Sequence, residues 1–313
     1  MAKNVLILGG SGMLGAMVTD FLARQPGLRV SATVRAADLK QRCDQVLPAV
    51  SWRLFDAATP DLAQIEQTLE GQEWVVNAVG VIKPYIHDDK AAEVERGIRI
   101  NALFPHLMAR AAEKTGSHVL QIATDCVYSG QKGGYVETDK HDALDAYGQT
   151  KSLGEVTSKQ VSHLRCSIIG PEPKAHVSLL DWFLGQPRGA QVNGFVNHRW
   201  NGVTTLQYAR LCNGIIAQNL SLPHMHHVVP SGEISKCDML RAFATSFHRE
   251  DIAISPTNAA VVIDRSLSTI NTELNGRLWQ AAGFKTPPTV PEMINELASY
   301  RLALAQLTNR GSG

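Results

Sequence analysis

A glycine-rich segment near the start of the chain limits the folds that are open to it. The apolar run Val5–Leu8 predicts a short buried strand, and Gly9–Gly15 follows at once and opens a helical pattern over 16–24. The segment fits both Gly-x-Gly-x-x-Gly and Gly-x-x-Gly-x-x-Gly. Glycines there permit a tight turn and let a pyrophosphate approach the N–H groups at the helix N-terminus. A plain strand-to-helix turn is the alternative, and the flanking strand and helix favour dinucleotide binding over it.

Strands and helices alternate as far as residue 169, which predicts an α/β fold of the Rossmann type with a doubly wound parallel sheet. Beyond that point, 170–201 carries three prolines and an aromatic cluster that interrupt the alternation. We therefore expect a dinucleotide-binding Rossmann domain over 1–169 and a smaller C-terminal substrate-binding domain over 170–313. Within the second range, 202–230 is expected to return to the Rossmann core. The last three residues, 311–313, are expected to be disordered.

The end of the second predicted strand bears on the choice of cofactor. An Asp or Glu about 20 residues beyond the glycines holds the ribose hydroxyls of NAD, whereas an arginine suits the 2′-phosphate of NADP. Arg35 occupies this place, so NADPH is favoured over NADH, with an ordinary surface arginine as the alternative. Asp56 ends the third predicted strand and is either an adenine-side residue or a solvated helix cap.

A second segment, 122–151, carries candidate catalytic groups. The apolar run before Thr124 predicts a buried parallel strand that brings this hydroxyl to the carboxyl edge of the sheet, where open α/β folds bind ligands. Tyr147 and Lys151 lie four residues apart at the head of a helix predicted to reach residue 159, so they share one face. A close cation is expected to lower the pKa of Tyr147, which can then protonate an alkoxide while Thr124 hydrogen-bonds the same oxygen. A solvated surface pair is the alternative for the tyrosine and the lysine.

Composition and charge exclude several classes of function. A net charge of +1 provides no basic field for nucleic acid or an anionic membrane. The five cysteines show neither metal-type nor paired spacing, so we expect reduced thiols in a soluble cytoplasmic protein. His224, His226 and His227 fall on alternating faces of a predicted strand, so no metal site is expected.

Several motifs taken together resemble one family. They are the glycine-rich segment, the turn Asn77–Gly80, the block Thr124–Gly130 with the sequence Thr-Asp-Cys-Val-Tyr-Ser-Gly, the Tyr147–Lys151 pair, and Arg265–Leu267. This set is similar to that of the extended short-chain dehydrogenases/reductases, and specifically to the dTDP-4-dehydrorhamnose reductase-like group of sugar-nucleotide ketoreductases. The resemblance implies NADPH-dependent reduction of a 4-keto-6-deoxy sugar carried on a nucleoside diphosphate.

The motifs and the resemblance imply a role for each site residue. Thr124, Tyr147 and Lys151 are the expected catalytic residues. The expected cofactor-binding residues are Gly9, Ser11, Gly12, Met13, Leu14, Arg35, Asp56, Ala78, Val79, Gly80, Asn101, Tyr147 and Lys151. The expected substrate-binding residues are Lys83, Asp125, Cys126, Val127, Tyr128 and Trp200. In the family an asparagine placed like Asn101 supports the lysine through water; a polar residue at an internal helix kink is the alternative.

Cys126 separates this chain from a neighbouring chemistry. Sugar-nucleotide dehydratases of the same superfamily carry Thr-Asp-Glu at this block, because elimination of water needs a further acid and base. A thiol in an apolar setting is a poor substitute, so a one-step reductase fits better. A sugar-nucleotide epimerase stays open as an alternative. The segment Val81–His87 departs from the rhamnose-type pattern, and the identity of the sugar depends on it.

A second hypothesis belongs to another class of protein. The regulatory subunit of methionine adenosyltransferase has this fold and binds NADP, yet acts as a partner protein. The complete set of Thr124, Tyr147 and Lys151 favours an enzyme. A homodimer is the oligomeric state that we expect.

Overall fold

The structure is a computed structural model that describes residues 2–173, 176 and 178–307. Its strands are β1 (Lys3–Leu8), β2 (Leu28–Val34), β3 (Ser51–Leu54), β4 (Trp74–Asn77), β5 (His118–Ala123), β6 (Val161–Arg165), β7 (Ile168–Ile169), β8 (Gln191–Phe195), β9 (Arg199–Trp200), β10 (Val203–Thr204), β11 (Met225–His227), β12 (Ile234–Ser235) and β13 (Ala253–Thr257). Its α-helices are α1 (Met13–Ala23), α2 (Ala37–Val46), α3 (Leu62–Leu69), α4 (Ala91–Gly97), α5 (Phe104–Thr115), α6 (Ala146–Leu153), α7 (Leu179–Leu184), α8 (Thr205–Gln218), α9 (Lys236–Ser246), α10 (Thr272–Ala281) and α11 (Val290–Ser299). The disorder predicted for 311–313 lies outside the described residues.

A seven-stranded sheet in the order β11-β6-β5-β4-β1-β2-β3 forms the centre of the fold. Every neighbouring pair in it is parallel. Along β1, Val5 and Ile7 pack into one hydrophobic core while Leu6 and Leu8 pack into the other, because successive side chains point to opposite faces. A strand segment buried on both faces is apolar throughout, as Val5–Leu8 of β1 is. The predicted Rossmann-type α/β fold is confirmed.

The helical region that holds Asn101 is divided into three segments. Between α4 and α5 the backbone forms a π-helical segment, Ile98–Leu103, that holds Asn101. Pro105 has no N–H to donate to the carbonyl of Asn101 four residues earlier, which favours this wider turn. The Asn101 side chain is pulled inward: Nδ2 donates to the carbonyl oxygen of Val81 at 3.0 Å and Oδ1 accepts from its N–H at 2.9 Å. The wide turn thus anchors the loop that follows β4.

Two predicted boundaries around the second half of the sheet are wrong. The helix α6 ends at Leu153 rather than 159, because Gly154 lies against the carbonyl oxygen of Asn101 and Glu155 turns inward to the buried Arg165. The last strand of the alternation that is predicted to reach residue 169 is divided into β6 and β7, and β7 pairs with β10 instead of joining the sheet.

The C-terminal part of the chain builds small sheets beside the carboxyl edge and also returns to the centre. The strands β8 and β13 pair in parallel, and β9 and β12 pair antiparallel. The strand β11 adds the edge next to β6, while α8 packs against α1. The domain division after residue 169 stays a prediction.

A buried polar network ties the end of β6 to the loops around it. Arg165 is fully buried, pairs with Glu155, and donates through Nη1 to Nε2 of His227 at 2.9 Å. His227 therefore accepts at Nε2 and donates from Nδ1 to the carbonyl oxygen of Ser268 at 2.8 Å, which requires the neutral ring. Burial, reinforced by Arg165, lowers the pKa of His227 to about 4. Burial likewise lowers the pKa of His163 to about 3.

We expect these histidines to make the fold acid-labile. Their folded pKa values lie below the unfolded value of about 6.5, so the unfolded chain binds protons more strongly once the pH falls below about 6.5. For His227 the loss in free energy of unfolding is about 2 kcal/mol at pH 5 relative to pH 7. Urea denaturation at the two pH values measures it, and His227→Gln should reduce the difference. Equal free energies of unfolding at pH 7 and pH 5 would contradict the assignment of neutral, buried rings.

Candidate active site

The glycine-rich segment forms a close-packed cradle between β1 and α1. Gly9 adopts a φ of 80°, which favours glycine, and a Cβ placed on Gly15 would lie 2.1 Å from the carbonyl oxygen of Gly9. No side chain caps α1 at its N-cap residue, Gly12. The first N–H groups of α1 therefore face the cleft without a protein cap, which fits the pyrophosphate of a dinucleotide.

A cavity of about 720 Å³ extends from this cradle along the carboxyl edge of the sheet. Sixteen of the predicted site residues line it: Gly9, Ser11, Gly12, Met13, Leu14, Arg35, Asp56, Ala78, Val79, Gly80, Thr124, Asp125, Cys126, Tyr147, Lys151 and Trp200. One continuous cleft thus joins the glycine cradle to the candidate catalytic residues. Its size and shape suit a dinucleotide together with a second ligand.

Arg35 and Asp56, the two residues predicted to bind the adenosine part of the cofactor, both line this cleft. Arg35 is exposed at the end of β2, and its guanidinium has no hydrogen-bond or salt-bridge partner among the described residues. Asp56 lines the cleft while its Oδ1 accepts from the N–H of Ala58 at 2.9 Å, so it also stabilises the turn after β3. An unpaired guanidinium on the cleft wall fits the 2′-phosphate of NADP.

Thr124 lies at the carboxyl end of β5, as the apolar strand predicts. Its side chain accepts from the N–H of Cys126 at 3.1 Å and donates to Oδ1 of Asp125 at 3.2 Å. These two contacts fix the hydroxyl at the start of the short 3-10 turn Asp125–Val127. The Thr124 side chain is near enough to the phenol of Tyr147 to favour its ionised form, so the two predicted catalytic side chains lie close together in the cleft.

Tyr147 and Lys151 occupy one buried face of α6, and each is 9% exposed. Burial, with a contribution from Cys126, raises the pKa of Tyr147 well above its usual value. Burial lowers the pKa of Lys151. The expected lowering of the tyrosine pKa by the lysine is therefore wrong for this arrangement. The phenol is fully protonated at neutral pH, which is the form that donates a proton.

The lysine faces the floor of the cofactor half of the cleft. A Cβ placed on Gly80 would lie 3.9 Å from Nζ of Lys151 and 3.5 Å from Oδ1 of Asn101. Both distances are ordinary van der Waals contacts, so Gly80 lies directly beside the ammonium group. The ammonium thus faces the turn after β4, where the family pattern places the nicotinamide ribose.

Four predicted site residues do not line the cavity. Lys83 points to Asp145, with Nζ 2.8 Å from Oδ2, and thereby ties the loop after β4 to the N-cap of α6. The side-chain amide of Asn101 is hydrogen-bonded to the backbone N–H and carbonyl oxygen of Val81. Val127 and Tyr128 are fully buried in a small core with Tyr135 and Leu267. Val127 and Tyr128 therefore contribute to packing rather than to the cleft, because the 3-10 turn directs their side chains into this core.

Other residues of the cavity wall were not singled out from the sequence. They are chiefly Tyr85 and Arg96 at one side, and Glu172, Ser178 and Lys236 at the other. Lys236 is the first residue of α9, more than a hundred residues beyond Thr124 in the chain. The pairing of β9 with β12 and the packing of α9 against β8 and α11 bring it to the cleft, so no local sequence signal marks it.

The described part of the chain holds no group of three or more His, Cys, Asp or Glu side chains arranged to bind a metal ion. Within the same residues, no helix has the length and apolar character that a membrane span requires.

The fold and this site together define a dinucleotide-binding protein of the extended short-chain dehydrogenase/reductase class. Residues 3–172 match the family described as the RmlD substrate binding domain. The chain belongs to this family.

Two curated relatives carry the name dTDP-4-dehydrorhamnose reductase. The protein of Mycolicibacterium smegmatis is 23% identical over 199 residues, which are 63% of this chain and 50% of the relative. The protein of Burkholderia thailandensis is 29% identical over 156 residues, which are 49% of this chain and 44% of the relative. The match thus spans about half the length of each relative.

Solved structures share the fold over nearly the whole chain. The dTDP-4-dehydrorhamnose reductase of Bacillus anthracis in complex with NADP has a TM-score of 0.68 at 17% identity, covering 95% of this chain and 99% of that one. The UDP-glucuronic acid 4-epimerase of Bacillus cereus has a TM-score of 0.72 at 14% identity, covering 97% and 100%. Because both identities are low, these likenesses describe architecture alone.

Proposed function

We propose that this protein uses NADPH to reduce the 4-keto group of a 6-deoxy sugar attached to a nucleoside diphosphate. The observation that carries the proposal is that Thr124 and the buried pair of Tyr147 and Lys151 line the same cleft, which begins at the glycine cradle. The family and its relatives, named dTDP-4-dehydrorhamnose reductase, support the substrate class.

Three side chains of this protein have separate roles at the sugar carbonyl. Bound in the cleft, NADPH would supply the hydride. Tyr147 donates a hydrogen bond to the carbonyl oxygen, and Thr124 turns its single hydroxyl proton from Asp125 to the same oxygen. Both hydrogen bonds strengthen as negative charge develops on that oxygen. Tyr147 then transfers its proton to that oxygen. Lys151 holds the nicotinamide ribose and stabilises the phenolate that remains.

The cofactor half of the cleft supports NADPH rather than NADH. Arg35 is the group that we assign to the 2′-phosphate. We expect Arg35→Ala to raise the KM for NADPH about 10- to 100-fold, because a hydrogen bond between charged groups contributes about 1.5–3 kcal/mol. The KM for NADH should stay unchanged. Steady-state kinetics with both cofactors measures this, and Arg188→Ala, an exposed arginine outside the cleft, is the control. An equal loss for the two cofactors would contradict the assignment.

The substrate half is proposed to be lined by Asp125, Cys126 and Trp200. Burial, with a contribution from Asp125, raises the pKa of the Cys126 thiol to about 12. The thiol is therefore a poor acid and a poor base near neutral pH, which favours reduction over chemistry that needs a second proton-transfer group.

The proposal is tested by mixing the purified chain with NADPH and a dTDP-4-keto-6-deoxyhexose. We expect loss of NADPH absorbance, with one NADPH consumed for each sugar reduced. An epimerase would change the sugar without net consumption of NADPH. A regulatory subunit would bind NADPH and leave the sugar unchanged. Either result would contradict the reductase proposal.

We further infer that the protein acts as a homodimer in the cytoplasm and does not bind nucleic acid. Ile98, Leu103 and Leu153 are large apolar side chains exposed on adjoining helical segments, and they suit contact with a second copy. The near-neutral charge and the five free cysteines are consistent with these inferences. Sedimentation of the wild type and of Leu103→Glu tests the dimer.

A further inference from the structure

Lys236 is a cation on the substrate side of the cleft. Neither the family pattern nor the proposed mechanism assigns this residue a role. It lines the same cavity as Thr124 and Tyr147 and is only partly exposed. Its backbone N–H donates to the carbonyl oxygen of His198 at 3.0 Å, which fixes where the side chain begins. The side chain then crosses the buried Trp200, with Nζ 5.6 Å from the centre of the ring.

The ammonium group of Lys236 has no hydrogen-bond acceptor among the residues that the structure describes. Lysine carries three N–H donors, and the described residues offer Nζ no oxygen within hydrogen-bond distance. Desolvation of an ammonium without such a partner is costly. Burial accordingly lowers the pKa of Lys236. A group held this way on a cavity wall is suited to receive an oxygen from a ligand.

The surrounding charges favour an anionic oxygen. Asp125 is the nearby carboxylate, and it is stabilised by both Lys236 and Arg265 while it accepts from Thr124. Arg265 also interacts with Asp142 and Asp145, so the positive charge that is left facing the cavity is the ammonium group of Lys236, which shares the carboxylate of Asp125. The methyl group and hydroxyls of a neutral 6-deoxy sugar do not balance that charge.

We propose that Lys236 is a substrate-binding residue that holds an anionic oxygen of the sugar nucleotide. The inference rests on the proposed function for the class of ligand. Two parts of such a ligand carry this chemistry, the diphosphate and a carboxylate on the sugar ring. Trp200 provides the apolar surface beside the ammonium against which the sugar packs.

The test compares Lys236→Met and Lys236→Arg with the wild type and with Lys159→Met, which removes an exposed lysine outside the cleft. Each full-length protein is saturated with NADP⁺ and checked by circular dichroism. Calorimetry then measures the Kd for dTDP-glucose, UDP-glucose and UDP-glucuronate. We expect at least a tenfold loss of affinity in Lys236→Met and partial recovery in Lys236→Arg.

The pattern of losses distinguishes the two sources of the anion. A loss for all three ligands assigns the diphosphate, and a loss confined to UDP-glucuronate assigns the sugar carboxylate. Affinities in Lys236→Met equal to those of the wild type would overturn the proposal.

A separate labelling measurement does not depend on the sugar nucleotide. The wild type with NADP⁺ is acetylated with acetic anhydride, with and without inorganic pyrophosphate or glucuronate, and labelling of Lys236 and Lys159 is compared by mass spectrometry. Protection confined to Lys236 supports the anion site even if no keto sugar is reduced. Should the wild type bind no sugar nucleotide, the proposed function fails, and absence of protection would then overturn the Lys236 site as well.

Discussion

Tyr147→Phe is expected to lower kcat for keto-sugar reduction by about 10²- to 10⁴-fold, because the variant keeps the ring but has no proton to transfer. NADPH should still bind, since the glycine cradle and Arg35 are distant from the hydroxyl. Stopped-flow or steady-state kinetics measures the loss, and fluorescence titration measures NADPH binding. Substitution of a buried ring by one of nearly the same shape leaves the packing around α6 intact.

Tyr208→Phe is the matched control for this substitution. Tyr208 is fully buried, it lies outside the cleft, and its hydroxyl has no hydrogen-bond partner among the described residues. Removal of that hydroxyl should leave kcat unchanged and leave the free energy of unfolding unchanged or slightly higher. Tyr147→Phe with wild-type kcat would exclude the tyrosine as the proton donor.

Gly15→Ala is expected to disable the cofactor site. Its Cβ would lie 2.1 Å from the carbonyl oxygen of Gly9, so the cradle must open for the methyl group to fit. Overpacking of this kind costs about 1–3 kcal/mol of stability. We expect the Kd for NADPH to rise more than about tenfold, which corresponds to 1.4 kcal/mol or more of lost binding energy. Urea denaturation and NADPH titration measure the two effects.

Gly276→Ala makes the same chemical change where the structure has room. Gly276 lies inside α10, and nothing stands within 4 Å of a Cβ placed there. The free energy of unfolding should rise by about 0.5–1 kcal/mol, because alanine loses less conformational freedom in a helix than glycine does. NADPH affinity should not change. If the two glycine variants behaved alike, the close packing of the cradle would be disproved.

The parts of the site that could be predicted from the sequence are those set by local pattern. The run Val5–Leu8 and the glycines after it predict the cradle because strand, turn and helix are contiguous in the chain. Tyr147 and Lys151 share a face because helical periodicity requires it. The hydroxyl of Thr124 follows from the position of a strand end in a parallel sheet.

The parts that could not be predicted depend on contacts between distant segments. Tyr128 belongs to a specific motif, yet the 3-10 turn before it directs the ring into the core. Asn101 lies in a π-helical segment, which lets its side chain hydrogen-bond to Val81. The sequence marks that segment through Pro105 alone. Lys236 reaches the cleft through the pairing of two short strands. The raised pKa of Tyr147 reflects burial, whose extent is a property of the folded chain.

The most direct test of the proposed keto-sugar reduction is to trace the hydride from NADPH to the sugar with deuterium. The chain is incubated with a dTDP-4-keto-6-deoxyhexose and NADPH deuterated at both C4 positions of the nicotinamide, and the sugar product is analysed by mass spectrometry and NMR. The proposed function predicts a product one mass unit heavier, with deuterium on sugar C4. A product without deuterium, or recovery of the keto sugar unchanged beside intact NADPH, would contradict it.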